Sequence, residues 1–299
     1  MIKVKDVVKK FGNTAALDKL SCEIQSGCVY GLVGSNGAGK STLLRLLCGV
    51  YRLESGDIAI DGEHVYDNPA VKGRLAFVPD ELYFLPNASM DRMAELYAAS
   101  YDRFSRERYE TLAKAFGLSR TAHINTFSKG MKRQAAVILA LSTRPDYIFL
   151  DETFDGLDPA MRNLVRRVIY SDISERGATA VVASHSLREL EDTCDQLALL
   201  HKGGIVFESD IAELKTAMFK VQIAFSQDFG REMFDGVDVL NYSKKGSVAS
   251  AIVRGGREEV RAVLSCRSPI LLDILPLTLE EVFLYEMEAL GYAFNDIPI

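Results

Sequence analysis

Residues 34–42 contain three glycines, a lysine and several hydroxyl side chains in the pattern Gly-x-x-x-x-Gly-Lys-Ser. The glycines let the backbone wrap closely around an anion, so that consecutive N–H groups point at phosphate oxygens. Lys40 can then hold the β- and γ-phosphates of a nucleotide, and the Ser41 hydroxyl can ligate Mg²⁺. The predicted phosphate-binding residues are Gly34, Ser35, Asn36, Gly37, Ala38, Gly39, Lys40, Ser41 and Thr42.

Two carboxylates, Asp151 and Glu152, directly follow the apolar segment 147–150. A phosphate-binding loop needs an acid at the end of a neighbouring strand to hold Mg²⁺ through water, and we assign this role to Asp151. Glu152 is then expected near the γ-phosphate, where it would polarise the attacking water as a general base. Without the loop, the same pair would indicate only a solvated turn.

His185 follows closely on another apolar segment, residues 179–183. Ligands of a parallel sheet gather at the carboxyl ends of its strands. We therefore expect the imidazole near the nucleotide, where it can donate a hydrogen bond to the γ-phosphate. Taken alone, a histidine at such a position is more commonly a surface residue or a satisfied core residue.

The segments that must position these residues alternate between apolar strands and amphipathic helices. The nearly continuous apolar run 28–33 is typical of a strand that is covered on both faces. Further strands are predicted at 147–150, 179–183 and 197–201, and helices at 41–48, 128–142, 159–175 and 187–194. This alternation predicts an α/β fold with a largely parallel sheet.

The pattern changes after about residue 219. Strands are predicted there at 221–225 and 248–253, and helices at 258–264 and 278–290. The segment contains no motif that carries chemistry, so we expect a small α+β accessory domain at 219–299. Its role is open between regulation, dimerisation and stabilisation.

The composition excludes several classes of protein. Apolar residues make up 48% of the 299 residues and charged residues 25%, which excludes intrinsic disorder. The net charge of −6 argues against nucleic acid as a partner. No apolar run approaches the roughly 18 residues that span a bilayer. The five cysteines form no Cys-x-x-Cys pair, so we interpret them as reduced thiols of a soluble intracellular protein.

The segment 127–134 (Phe-Ser-Lys-Gly-Met-Lys-Arg-Gln) resembles the signature motif of the ABC ATPases, and its Ser128 lies 23 residues before Asp151. Ser128 has the position of a helix N-cap, and Gly130 allows a close approach of the backbone. The positive end of the helix that begins there would face a γ-phosphate. In the family, that phosphate belongs to an ATP bound by a second ATPase domain.

Three more features fit the same family in order and spacing. The segment 155–159 (Asp-Gly-Leu-Asp-Pro) resembles the family's D-loop, and His185, after Ser184, has the position of its switch histidine. Phe11, in an early turn, has the position of the aromatic residue that stacks on adenine. The resemblance covers roughly residues 1–215 and rests on five motifs.

The resemblance implies an α/β P-loop NTPase of the ABC ATPase type, with a mixed sheet core and a helical subdomain at about 82–143 inside an ATPase domain at 1–218. It implies ATP and Mg²⁺ as cofactors and ATP hydrolysis as the activity. Two such domains pack head to tail around two Mg-ATP, each ATP lying between the phosphate-binding loop of one and the signature of the other. The signature residues acting in trans would be Ser128, Lys129 and Gly130, and the D-loop residue would be Asp158.

The family's role also implies partners. An integral membrane permease would hold the chain at the cytoplasmic face of the cell membrane, and a second ABC ATPase subunit would complete the dimer. Whether the two subunits are identical is open. The form of the signature, together with Val-Pro-Asp-Glu at 78–81, is similar to the antibiotic-resistance and efflux branch of the family, which implies an exporter.

Three residues depart from the family's pattern, and one of them is Thr153, which replaces the usual proline after Glu152. Lys129 replaces a glycine, and its charge either lies near a phosphate or points to solvent. Asp80 replaces a glutamine. A carboxylate can serve as a Mg²⁺ ligand, directly or through water, but it cannot donate the hydrogen bonds of an amide. We therefore count Asp80 as a candidate metal ligand beside Ser41 and Asp151.

The apolar segment 82–86 (Leu-Tyr-Phe-Leu-Pro), next to Asp80, has two interpretations. It lies where the family docks the coupling helix of a transmembrane subunit. It can equally pack on the chain's own helical subdomain.

Two other functions compete with a transporter subunit. A non-transport ABC ATPase would act on DNA or ribosomes, but the DNA-repair members carry a long coiled-coil insertion and the translation members fuse two ATPase domains, and this chain has neither feature. A P-loop kinase would use Lys40 and Ser41 equally well. It leaves the signature, the D-loop and His185 unexplained.

Overall fold

The computed structural model describes residues 1–289, whose strands and α-helices are numbered here in chain order. The strands are β1 (Ile2–Phe11), β2 (Thr14–Ile24), β3 (Val29–Val33), β4 (Ser55–Ile60), β5 (Glu63–His64), β6 (Leu75–Val78), β7 (Tyr147–Asp151), β8 (Thr179–Ser184), β9 (Gln196–His201), β10 (Gly204–Asp210), β11 (Met218–Ala224), β12 (Asp238–Lys245), β13 (Val248–Arg254) and β14 (Leu271–Pro276). The helices are α1 (Lys40–Leu47), α2 (Pro69–Lys72), α3 (Met90–Ser100), α4 (Arg106–Ala115), α5 (Lys129–Ser142), α6 (Pro159–Arg176), α7 (Leu187–Glu191), α8 (Ile211–Ala217), α9 (Arg257–Ser265) and α10 (Leu279–Ala289). Residues 290–299, the end of the expected accessory domain and of its last helix, lie outside the described residues.

The chain forms two compact units, Met1–Glu208 and a second one that begins at Ser209. The boundary lies ten residues before the one at 218/219 that the sequence suggested. The reason is α8, which contacts β11 and α10 and therefore groups with the second unit.

The core of the first unit is a six-stranded sheet in the order β10-β9-β3-β8-β7-β6. Its pairs β3/β8, β3/β9, β7/β8 and β6/β7 are parallel, which confirms the predicted α/β architecture. Every residue of β3, β7 and β8 is buried. These strands are covered on both faces, which is why their sequences are continuous apolar runs rather than alternating ones.

The parallel register places four chain segments at one edge of this sheet. Val33 of β3 lies opposite Ser184 of β8, and Asp151 of β7 lies opposite Ala183. The segments that leave the carboxyl ends of β3, β6, β7 and β8 therefore emerge side by side. In open α/β sheets this edge is where ligands bind.

A second, antiparallel sheet has the order β2-β1-β4-β5. Phe11 is the last residue of β1 and pairs with Thr14 across a tight turn in which Gly12 has a φ of 59°. The side chains of Ile2, Val4 and Val7 are buried and share one hydrophobic cluster with Leu43 of α1. This packing ties the antiparallel sheet to the helix that begins at Lys40.

Helices α3, α4 and α5 lie between β6 and β7 in the chain, and both α3 and α4 contact α5. Each of the three begins with a serine N-cap, because the hydroxyls of Ser89, Ser105 and Ser128 accept hydrogen bonds from backbone N–H groups of the first turn. A buried ion pair of 2.7 Å joins Arg108 of α4 to Asp172 of α6.

The second unit contains a four-stranded antiparallel sheet in the order β12-β13-β11-β14, with α9 connecting β13 to β14. Phe219 and Val221 of β11 pack with Phe234 and Leu264 in its hydrophobic cluster. Across residues 1–289, none of the helices has the length and apolar character that crossing a membrane requires.

Candidate active site

The phosphate-binding loop lies between the carboxyl end of β3 and the start of α1 at Lys40. Gly39, the N-cap of α1, has a φ of 114°, a conformation that favours glycine. A Cβ atom at Gly34 would lie 2.4 Å from the carbonyl oxygen of Leu200, and one at Gly39 would lie 2.6 Å from that of Ala16. Only glycine therefore fits at these two positions, where the loop lies directly against β2 and β9.

The Lys40 ammonium is held inside this loop. Its Nζ donates hydrogen bonds to the carbonyl oxygens of Gly34 at 2.6 Å and Ser35 at 3.2 Å, and it lies 3.4 Å from Oε1 of Glu152. The side chain is only 5% exposed. Hydrogen bonds between charged groups are stronger than those to neutral carbonyls, so this ammonium can exchange its carbonyl partners for phosphate oxygens.

Asp151 ends β7 and is fully buried. Its Oδ1 accepts a hydrogen bond of 3.0 Å from the Ser41 hydroxyl, whereas Oδ2, also buried, has no hydrogen-bond partner among the described residues. Burial raises the pKa of the Asp151 carboxyl, and the hydrogen bond from Ser41 opposes this rise. A buried carboxylate with one open oxygen beside a hydroxyl is a set of hard oxygen ligands, which fits a divalent cation such as Mg²⁺.

Glu152 and His185 meet at the ends of β7 and β8. Nδ1 of His185 lies 2.9 Å from Oε2 of Glu152, and the His185 backbone N–H donates to the same oxygen at 3.3 Å. Glu152 has a φ of 46°, and its N–H donates to the carbonyl of Ala183. Such strain in a non-glycine residue is typical of functional sites. The Asp155 carboxylate completes a group of three acid–base side chains whose atoms lie within 4.8 Å of one another.

Asp80 follows β6 and is bound by an arginine of α5. Arg133, which is 1% exposed, donates to the carbonyl oxygens of Pro79 and Asp80 and to Oδ1 of Asp80, each at 2.9 Å. The carboxylate that we counted as a candidate Mg²⁺ ligand is therefore partly neutralised by the helix that carries the signature. Its role at a metal stays a prediction.

Most of the predicted residues converge on one cavity of about 320 Å³. Its lining residues are Ala16, Ser35, Asn36, Gly37, Gly39, Lys40, Ser41, Thr42, Asp80 and Glu152. Asp151 and His185 lie next to this cavity: Asp151 accepts a hydrogen bond from Ser41, and the His185 ring contacts Glu152. The geometry therefore brings a cation, two carboxylates, a hydroxyl and a loop of backbone amides to one place, as binding and cleavage of a phosphate chain require.

Phe11 lies outside the residues that line this cavity. Its ring is 48% exposed and packs edge-to-face against Tyr51, with ring centres 5.4 Å apart. The Lys9 ammonium lies 5.3 Å from the centre of the Phe11 ring and donates to Glu54. With 48% of its surface exposed, the ring is accessible for a stacking contact.

The signature residues Ser128, Lys129 and Gly130 also lie outside the cavity of their own chain. The Ser128 hydroxyl caps α5 by accepting from the N–H of Met131 at 3.2 Å, and Ser128 and Lys129 are exposed. A Cβ atom at Gly130 would lie 2.8 Å from the carbonyl oxygen of Gly156, so the signature packs directly on the segment that resembles the D-loop. In that segment, Asp158 caps α6.

Sequence reasoning missed two residues of this region, Arg133 and Tyr51. The Arg133 side chain is fully buried, yet an arginine in an amphipathic helix is normally expected at the surface. The role of Arg133 follows only from its partner Asp80, which lies 53 residues away along the chain. Tyr51 belongs to no motif, so its place beside Phe11 could be found only from the structure.

The chain is similar to known proteins in sequence and in fold. The sequence profile of the ABC transporter family matches residues 17–155. Over 284 residues the chain is 27% identical to the ABC transporter ATP-binding protein YtrB of Bacillus subtilis (strain 168), covering 95% of this chain and 97% of that protein. It is 33% identical to the daunorubicin/doxorubicin resistance ATP-binding protein DrrA of Streptomyces peucetius, covering 73% of this chain and 67% of DrrA. The bacitracin transport ATP-binding protein BcrA of Bacillus licheniformis is 30% identical, with 72% of this chain and 71% of BcrA covered.

Solved structures show the same fold. The ATP-binding subunit of an ABC transporter superposes with a TM-score of 0.67 at 26% identity, over 72% of this chain and 92% of that one. The dimeric ATP-binding cassette MJ0796, bound to ADP and Pi, superposes with a TM-score of 0.64 at 22% identity, over 71% of this chain and 99% of that one. The match with DrrA shows the family, and the cavity contains the groups that the family's activity needs. The chain therefore belongs to the family of ABC transporter ATP-binding proteins, and it is an ATPase.

Proposed function

We propose that this chain is the ATP-hydrolysing subunit of an ABC exporter, that it works as a head-to-tail dimer around two Mg-ATP, and that it drives a separate membrane permease. The observation that carries the ATP site is the convergence of Lys40, Glu152 and the Ser41–Asp151 pair on one cavity. The family assignment supports the coupling of that site to transport.

The side chains of the site have distinct roles in binding and hydrolysing ATP. Lys40 and the backbone amides of residues 34–39 bind the β- and γ-phosphates. Glu152 accepts a proton from the attacking water, the backbone N–H of His185 holds the Glu152 carboxylate in place, and the His185 ring donates to the γ-phosphate. Phe11 stacks on the adenine ring.

Ser41 and Asp151 would hold Mg²⁺, because together they supply a hydroxyl and a carboxylate whose Oδ2 has no hydrogen-bond partner within residues 1–289. When bound, the ion neutralises charge on the β- and γ-phosphates. Asp80, which also lines the cavity, would contribute through water, in competition with its ion pair to Arg133.

The exposed signature supports a site that is completed in trans. Ser128 and Lys129 are accessible on the surface, and α5 presents the positive end of a 14-residue helix next to them. A second copy, or a related ATPase subunit, would place its own phosphate-binding loop there. The exposed Lys129 would add to the positive potential at that face.

Mixing two inactive variants tests this arrangement. Lys40→Ala removes the phosphate ligand, and Ser128→Asp keeps an N-cap but places a negative charge against the incoming γ-phosphate. We expect each variant alone to be inactive and the mixture to hydrolyse ATP, because a mixed head-to-tail dimer contains one intact loop facing one intact signature. Phosphate release is the measurement. An inactive mixture, with mixed dimers demonstrated by differently tagged chains, would contradict the head-to-tail arrangement.

Export is proposed from two relatives, the daunorubicin/doxorubicin resistance ATP-binding protein DrrA and the bacitracin transport ATP-binding protein BcrA. The chain would then be peripheral on the cytoplasmic face of the cell membrane, attached through the permease. Affinity purification of tagged Glu152→Gln protein from detergent-solubilised native membranes, with ATP and Mg²⁺, tests this attachment. A co-purifying polytopic protein supports it, whereas recovery of ribosomes or DNA-bound proteins without any membrane protein contradicts it.

The segment 82–86 is the proposed docking site for the permease. Tyr83 is 78% exposed and Leu85 38%, beside a groove of about 360 Å³ that also includes Ile124 and Lys132. We expect Tyr83→Ala with Leu85→Ser to abolish association with the co-purifying membrane protein and to leave the ATPase activity of the isolated subunit unchanged. Tyr66→Ala, another exposed tyrosine, is the matched control. If the double variant still binds the membrane protein as well as the unaltered chain does, the segment 82–86 instead packs on the chain's own helical subdomain.

A further inference from the structure

Glu189 of α7 is a buried carboxylate that the proposed mechanism does not use. It is 7% exposed, its Oε2 accepts a hydrogen bond of 3.0 Å from the Ser184 hydroxyl, and its Oε1 lies 3.3 Å from Nη1 of Arg162. A buried charge is costly unless it is paired and hydrogen-bonded. The two partners are therefore held firmly by Glu189, and they belong to different parts of the site.

The Ser184 partner leads to the loop that carries His185. Besides donating to Glu189, the Ser184 hydroxyl accepts a hydrogen bond of 3.0 Å from the backbone N–H of Ser186. It thus clamps the backbone on both sides of His185. The His185 ring and its backbone N–H contact Glu152 from this clamped loop.

The Arg162 partner leads to the D-loop segment. Nε of Arg162 donates to the carbonyl oxygen of Leu157 at 3.0 Å, between Gly156 and the helix cap Asp158. Arg162 therefore ties the carboxylate on α7 to the loop that precedes α6. A continuous chain of contacts runs from Glu152 through the His185 loop and Glu189 to this loop.

We propose that Glu189 is a positioning residue for ATP hydrolysis, which holds the His185 loop and the D-loop in one relative arrangement through Ser184 and Arg162. The inference rests on the proposed roles of Glu152 and His185. Without the carboxylate, the Ser184 hydroxyl loses its charged acceptor, and the His185 loop can move relative to Glu152. A displacement of about 1 Å in such a site costs about 10²-fold in rate.

The test measures ATP turnover of the full chain with Glu189→Gln, a variant that keeps the shape and an oxygen acceptor but removes the charge. We expect kcat to fall about tenfold or more, with KM and the affinity for a fluorescent ATP analogue within about twofold of the unaltered chain. The reason for this split is that Glu189 lies outside the residues that line the nucleotide cavity. Asp192→Asn is the matched control, because Asp192 follows α7 but its carboxylate is 64% exposed.

Two more variants separate positioning from a general loss of stability. Arg162→Met and Ser184→Ala are each expected to lower kcat, and the double variant Glu189→Gln/Arg162→Met should be no slower than the slower single variant, since both changes break one chain of contacts. Melting temperatures are measured in parallel. If Glu189→Gln does not fold, the kcat values of Arg162→Met and Ser184→Ala test the proposal instead. Both variants are expected to fold, since the Arg162 side chain is one-third exposed and Ser184→Ala removes only a hydroxyl.

A kcat near that of the unaltered chain in Glu189→Gln would overturn the proposal. So would a loss that appears only as a raised KM, or single-variant losses that multiply in the double variant. Glu152→Gln, assayed in parallel, separates this inference from the proposed function. If Glu152→Gln is inactive and Glu189→Gln is active, only the role of Glu189 fails, whereas an active Glu152→Gln removes the catalytic role on which the inference rests.

Discussion

Replacing Glu152 by glutamine is expected to lower kcat for ATP hydrolysis by about 10²- to 10⁴-fold. The amide cannot accept the proton of the attacking water, so the chemical step loses its base. ATP affinity should stay the same or rise, because the carboxylate that lies 3.4 Å from Lys40 no longer competes with phosphate for the ammonium. Phosphate release under steady-state conditions gives kcat, and equilibrium binding of a fluorescent ATP analogue gives the affinity.

Glu81→Gln is the matched control for this variant. Glu81 is an exposed carboxylate next to Asp80, and it does not line the nucleotide cavity. We expect its substitution to leave kcat unchanged. Turnover by Glu152→Gln at the rate of the control would remove Glu152 from the catalytic role and require another base at this edge of the sheet.

Replacing Asp151 by asparagine should have opposite effects on activity and on stability. Turnover is expected to be lost, since the Mg²⁺ ligand is gone. In metal-free buffer, however, the free energy of unfolding should rise by about 1–3 kcal/mol, because the substitution removes a buried charge whose Oδ2 lacks a partner among the described residues. Denaturant unfolding in EDTA measures the stability.

The stability gain of Asp151→Asn should depend on pH. A carboxyl whose pKa is higher in the folded state binds more protons when folded, so the free energy of unfolding of the unaltered chain decreases as pH rises from the usual Asp value of 3.8 through the raised value. The asparagine variant lacks this decrease. We therefore expect the difference to be absent well below pH 3.8 and fully present above the raised pKa.

Asp172→Asn is a matched control, which we expect to lower the free energy of unfolding where Asp151→Asn raises it. Asp172 is also buried, and its Oδ2 has no hydrogen-bond partner in the described part of the chain, but its Oδ1 is paired with Arg108 at 2.7 Å and Arg176 at 3.1 Å. Neutralising it leaves the charges of two arginines without their opposing carboxylate and should lower the free energy of unfolding by about 3 kcal/mol. Equal destabilisation by both substitutions would show that the Asp151 carboxylate is satisfied in the metal-free protein, against the proposed metal site.

The central part of the fold could be predicted because its signals are local. Strands β3, β7 and β8 are continuous apolar runs, and burial on both faces produces that pattern without reference to the rest of the chain. The phosphate-binding loop was equally accessible, since its Gly-x-x-x-x-Gly-Lys-Ser pattern lies within the consecutive residues 34–41, directly after an apolar run.

The second unit was less accessible to sequence reasoning. Strands β12 and β14 were not predicted, since their residues are exposed or only partly buried and their patterns are weak. Residues 211–217, which form α8, fell within the predicted first domain, because these seven residues by themselves carry no sign of their partners. The contacts of α8 with β11 and α10 place the boundary at 208/209 instead.

By itself, the sequence determined the parallel sheet, the phosphate-binding loop and the order in which Asp151, Glu152 and His185 reach one edge. These follow from burial periodicity and from the rule that parallel strands share their carboxyl ends. Only the tertiary structure decided that Arg133 binds Asp80, that Oδ2 of Asp151 is left without a partner among the described residues, and that Glu189 joins Ser184 to Arg162. The physical reason is that the state of a buried charge depends on the group opposite it, which packing brings from elsewhere in the chain.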